Sequence, residues 1–262
     1  MSGFNMWMPK EHGAYGQLAF PIATAFGVVG LSTAGFLLSM AAAAGFLAHE
    51  PAAIVLGLRG ARAKRELGAS AVPRLWCCLA AGIAAGAGAA ISIDPAVRPS
   101  LAIPAIPALL LIVAMIRGRE KSWYGEAAAA LAFAGVSVPV SMAAGAPLDV
   151  ALTIAIPFAL LFTTTTLAVR VVILRVRGGG DARAMAVTRR ATLAISAASA
   201  VLLGAVTLAE WLPPPVLLAS APGLVTAAIV AARPPAATLL RVLGWTLVAI
   251  STLTAVIVVT TV

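Results

Sequence analysis

Apolar runs of roughly one bilayer thickness, broken by short polar stretches, recur from one end of this chain to the other. A helix needs ~20 mostly apolar residues to cross a bilayer core of ~30 Å. Nine segments meet or nearly meet that length: 15–31, 34–57, 74–92, 99–116, 126–145, 149–174, 191–210, 213–231 and 238–260. The pattern predicts an all-α, polytopic membrane protein with nine transmembrane helices. No polar segment is long enough for a second domain, so residues 1–262 read as a single integral membrane helical domain. The third span, "LAAGIAAGAGAAIS", is so rich in Ala and Gly that it suits close helix–helix approach better than lipid contact. Pro104, Pro107, Pro139, Pro157 and Pro222 fall inside spans, where neighbouring helices can satisfy the carbonyls they free.

Composition strengthens this picture. Hydrophobic residues make up 61% of the chain and charged ones only 10%, and the mean hydropathy is +1.03. Soluble domains carry ~25% charged residues. The formal charge of +9 would suit nucleic acid, but the cations sit in short loops between apolar spans, which excludes that partner. Cys77 and Cys78 are adjacent inside an apolar run and lack metal-ligand spacing, so they read as packing residues. The amino terminus has no basic region followed by a cleavable apolar core, and the first span is expected to be a retained helix.

The distribution of charge orients the chain. With the amino terminus on one side, nine crossings place every Lys and Arg except Arg98 on that side, while Asp94, Asp149 and Glu210 fall on the other. Positive charge collects in the cytoplasm, so the amino terminus is expected inside and the carboxyl terminus outside. The three long connections, 58–73, 117–125 and 175–190, are then all cytoplasmic, and a site is expected to open on that face.

Three stretches offer chemistry. The first is built on two histidines, each beside a glutamate: Glu11–His12, with Lys10, at the mouth of span one, and His49–Glu50 inside span two. Ionisable groups at membrane depth are costly and often functional, and a His beside a carboxylate can relay protons, act as a base or bind metal. The second is the arginine set Arg59, Arg62, Arg170 and Arg175, suited to gripping phosphate oxygens. Its plainer reading is positive-inside charge snorkelling to lipid head groups. The third is Glu126, at the start of span five, where a carboxylate also complements the helix dipole. Trp123 and Tyr124 read as interfacial anchors, and the threonine run 163–166 as packing. His12, His49, Glu50 and Arg170 are expected to converge in one cytoplasm-facing pocket.

The opening "PKEHGAYGQLAFP", with a second span that ends in an arginine-rich loop, resembles the bacterial YwiC-like membrane protein family. More distantly, the layout is similar to the UbiA-type intramembrane prenyltransferases, and "YGEAAAALAFAGVSVPV" (124–140) resembles the fifth-helix region of their menaquinone branch. That resemblance implies a UbiA-like nine-helix bundle in a bacterial inner membrane. It also implies an isoprenoid or other anionic lipid ligand, with catalytic roles for His49, Glu50 and Glu126. Lys10, Glu11, His12, Arg59, Arg62, Arg170 and Arg175 would hold the ligand. The Asp-rich motifs of those enzymes are absent: the helix-two position reads His49, Glu50, Pro51, Ala52, Ala53, and helix six offers Arg170 and Arg175. Two Mg²⁺ ions need several oxygen ligands, so magnesium-dependent transfer lacks its donors here and no cofactor is assigned. Two alternatives stand beside this reading: a small-molecule or proton-coupled transporter, and a non-catalytic membrane subunit with membrane lipids as its surroundings.

Overall fold

The computed structural model describes residues 12–176 and 182–262. It contains α1 (His12–Val29), α2 (Thr33–Val55), α3 (Ala61–Ser92), α4 (Ala102–Ile116), α5 (Trp123–Gly135), α6 (Ser137–Ala143), α7 (Leu148–Val176), α8 (Ala182–Leu208), α9 (Pro214–Ala232) and α10 (Leu240–Thr261). Short 3₁₀ segments, Pro95–Leu101 and Ala237–Leu239, lead into α4 and α10. Among the described residues there is no β-strand. Eight segments are long and apolar enough to cross a membrane, and the shorter apolar α1 makes a ninth.

The protein is thus a polytopic helical membrane protein whose crossings fall where the apolar runs place them. The polar connections differ. Residues 58–73 were expected as a loop, yet α3 begins at Ala61. The stretch "ARAKREL" holds strong helix formers, and such residues stay helical outside the bilayer as well as within it. The 175–190 connection shortens in the same way, with α7 running to Val176 and α8 starting at Ala182. Span five is interrupted at Val136, between α5 and α6. Pro139 cannot donate to the carbonyl of Gly135, and the next bond, Val140 N to Val136 O, stretches to 3.3 Å.

Helix α7 is the axis of the bundle, packed against α1, α5, α6, α8, α9 and α10. Its Phe158, Leu161 and Phe162 meet Ala130 and Ala134 of α5 in one buried cluster. Small residues allow the closest approaches: a methyl group on Gly223 of α9 would lie 2.3 Å from Leu161 Cδ1. Thr254 of α10 donates to the carbonyl of Ala219 of α9 at 2.9 Å. The Ala/Gly-rich α3 does approach α2 closely, since a methyl on Gly88 would stand 3.2 Å from Leu37 Cδ1. Its opposite face, however, is uncovered, with Trp76, Ile83 and Ile91 66%, 70% and 85% exposed. One helix cannot cover the whole circumference of another, so close approach and an open face coexist on α3.

Candidate functional site: an ionic ring at the basic end

Two turns of the same design create the site. At the end of α2, Gly57 takes positive φ (+78°), and Leu58 N–H reaches back to Ala53 O at 2.8 Å. At the end of α4, Gly118 takes positive φ (+64°), and Arg119 N–H reaches back to Ala114 O at 2.7 Å. Glycine enters this left-handed region without the steric penalty of a Cβ. In each turn, the residue two places beyond the glycine folds over the helix end. Those residues are Arg59 and Glu120, and they meet.

Arg59 donates from Nε to Glu50 Oε1 at 3.0 Å and from Nη2 to Glu50 Oε2 at 2.7 Å, a two-pronged contact of the stronger, charge-assisted kind. Its Nη1 donates to Glu120 Oε1. The other oxygen of Glu120, Oε2, lies 3.3 Å from His49 Nε2. His49 and Glu50 are neighbours on α2, so the four side chains close a ring from α2, the α2–α3 turn and the α4–α5 turn. Glu120 is the most enclosed, 12% exposed, against 27% for Arg59 and 30% for His49. The approach of His49, with Arg59 assisting, outweighs the cost of burial and holds the Glu120 carboxyl at about 2, well below the ordinary carboxylate range. The Arg59 guanidinium is bound still more firmly in its charged form, first by Glu50.

The ring sets two carboxylates and one imidazole around a single guanidinium. A pH dependence follows from Glu120. A carboxylate with a lowered pKa contributes stability above its ordinary value of about 4.3, and that contribution fades as pH falls toward about 2. Glu120→Gln should therefore unfold at a lower temperature than wild type at neutral pH. Thermal unfolding in detergent should show this gap narrowing in acid below pH ~4; a gap independent of pH would contradict the ring.

Beside the ring lie further contacts among α1, α2, α5 and α7. Arg170 Nε of α7 stands 3.8 Å from Glu126 Oε1, both side chains about 15% exposed. Gln17 Nε2 of α1 donates to Thr166 Oγ1 at 2.6 Å, one turn from Arg170. Tyr15, Phe46 and Phe133 pack edge to face, with centroids 4.9 and 5.4 Å apart, and Phe46 is one turn from His49 and Glu50. The Tyr15 hydroxyl is buried without a hydrogen-bond partner among the described residues.

The structure therefore gathers His49, Glu50 and Arg59 in one ring and pairs Glu126 with Arg170. It sends two expected site residues elsewhere. Arg62 pairs with Glu66 at 2.7 Å on α3 and is 85% exposed, because a step of three residues beyond Arg59 turns it onto the outer face of a new helix. Arg175 donates to the carbonyl of Pro234, and Arg189 donates to Ala232 O at 3.1 Å. These arginines complete the carboxyl end of α9, whose last carbonyls lack intrahelical donors. Lys10, Glu11 and the side chain of His12 lie outside the described residues. The sequence reading missed Glu120 and gave Thr166 only a packing role. The signal available for Glu120 was the repeated Gly-x-charged step at two span ends, Gly57–Arg59 and Gly118–Glu120.

Residues 8–142, just over half the chain, match the model of a family described as "YwiC-like protein". The chain belongs to the YwiC-like family. No curated protein and no solved structure matches it. The YwiC-like segment runs from the amino terminus through α6 and contains the complete ring and Glu126, whereas Arg170 and Arg175 lie beyond it.

Proposed function

We propose that this YwiC-like protein is a proton-coupled carrier for a small solute, with the Glu50–Arg59–Glu120–His49 ring as its proton site. The reading rests on one observation: two carboxylates and one imidazole share a single guanidinium at the basic end of a membrane bundle. Ionisable groups gathered beside a membrane bundle are often functional, and here they join the two turns to α2. With the basic end in the cytoplasm, as the partition of Lys and Arg implies, the ring opens inward. A bacterial inner membrane is the location this proposal takes, on the resemblance of the opening segment to bacterial membrane proteins.

Proteoliposomes containing the pH dye pyranine test this reading. A pH gradient imposed across vesicles under a potassium–valinomycin clamp should acidify the lumen faster than in protein-free vesicles. Glu50→Gln should remove the difference. Equal acidification with and without protein would end the proposal.

One observation favours a second reading, an isoprenoid or anionic lipid ligand held as in the UbiA-type enzymes. Arg170 Nε stands 3.8 Å from Glu126 Oε1, a looser engagement than that of Arg59 with Glu50. A phosphate head would find a guanidinium there above the aromatic wall of Tyr15, Phe46 and Phe133, with His49 and Glu50 as acid and base. A prenyl diphosphate or quinone in organic extracts of the purified protein would support this reading.

A further inference from the structure

We infer that the first third of α3 is a docking surface for anionic phospholipid head groups. At ~1.5 Å per residue, the 32 residues of α3 extend well past a bilayer core of ~30 Å. Counting that thickness back from Ser92 puts the core boundary near Pro73 and leaves about a dozen residues projecting at the basic end. The projecting part and its boundary carry Arg62, Lys64, Arg65 and Arg74 against the single carboxylate of Glu66.

Two of these cations point outward, Arg62 and Arg65, while Lys64 and Arg74 lie on the other side of the helix. Arg62, Arg65, Val72 and Trp76 recur at steps of three, seven and four, which place them on one side of the helix. All four are exposed, Arg62 by 85% and Trp76 by 66%. The main neighbour of α3 is α2, on the opposite face. Arg59, Arg170, Arg175 and Arg189 each meet an oxygen of the protein. Lys64, Arg65 and Arg74, by contrast, have no ion-pair partner among the described residues. Their charge complements a layer of lipid phosphates. Arg74, half-buried, stands at the boundary itself, and the exposed Trp76 lies just inside it on the other side of the helix, where indole rings favour the interface. The proposal is independent of what the ring does.

The test compares phosphatidylglycerol with phosphatidylcholine binding to purified full-length protein by native mass spectrometry. Wild type should retain phosphatidylglycerol in preference. Arg65→Gln/Arg74→Gln should weaken that retention roughly 30-fold, from about fivefold per basic residue near an anionic surface. Arg65→Lys/Arg74→Lys keeps the charge and should keep the preference, which separates attraction from misfolding. Equal retention of the two lipids by wild type, unchanged phosphatidylglycerol binding in the Gln pair, or loss of preference in the Lys pair would each overturn the proposal.

Discussion

Arg59→Gln is expected to destabilise the protein by about 2–3 kcal/mol. Removing one partner of a fully buried ion pair costs roughly 3–5 kcal/mol, and these side chains retain some contact with water. Arg59 is 27% exposed and Glu50 28%. The loss comes less from the missing hydrogen bonds than from what stays behind. Glu50 and Glu120 both lose the guanidinium they share, in a partly enclosed site where water replaces it incompletely. Adding Glu50→Gln to the variant should therefore restore part of the lost stability, a sign of coupling that independent sites would not show. Thermal unfolding of the purified single and double variants measures both effects. If Arg59→Gln unfolded at the wild-type temperature, the ring would not be holding the two turns.

Gly125→Ala should have a comparable effect without altering any charge. A methyl group at Gly125 would lie 2.5 Å from the backbone oxygen of Glu120 and 2.9 Å from that of Arg119. Real atoms do not approach so closely, and a backbone cannot swing aside as the tip of a long side chain can. The α4–α5 turn must lift, or the first turn of α5 must move, at a cost of about 1–3 kcal/mol for overpacking. Either displacement carries Glu120 away from His49 and Arg59. The variant should thus reproduce the altered acid response of Glu120→Gln as well as its lower unfolding temperature. Gly45 serves as the control, since a methyl there meets nothing within 4 Å. Gly45→Ala should leave the acid response unchanged and should not lower the unfolding temperature, because an Ala in an exposed helical position favours the helix.

Both predictions treat the ring as a joint between turns. The α2–α3 turn brings Arg59 and the α4–α5 turn brings Glu120, while α2 offers His49 and Glu50 beneath them. A helix end closed by a left-handed glycine directs the following residues back across the helix axis. Using that device twice sets a cation and a carboxylate within hydrogen-bond reach although they are 61 residues apart. The carrier reading is built on this gathering of carboxylates, imidazole and guanidinium at one end of the bundle.

The residues of the site differ in how legible they were. His49 and Glu50 stand out in the sequence because an apolar run makes any ionisable pair conspicuous. Arg59 follows directly after that run. Glu120 lies among Arg117, Arg119 and Lys121, where a carboxylate reads as one more charge of a solvated loop. Arg62 and Arg175 have the same composition signal as Arg59, yet Arg62 turns onto the outer face of α3 and Arg175 serves α9. A charge pattern records which side of a bilayer a residue occupies and nothing about which partner it meets there.

By itself, the sequence determined the membrane class and where the apolar segments fall. Both depend on a quantity summed over ~20 consecutive residues, and that sum survives errors at individual positions. It also marked one histidine–glutamate pair as unusual, since the cost of such groups depends on their immediate apolar neighbours. Only the tertiary structure decided that Arg59 joins Glu50 to Glu120, that α3 is helical from Ala61, and that its outer face is bare. Ion pairing falls off over a few ångströms, so it answers to the path of two glycine turns through space and is invisible to any average along the chain.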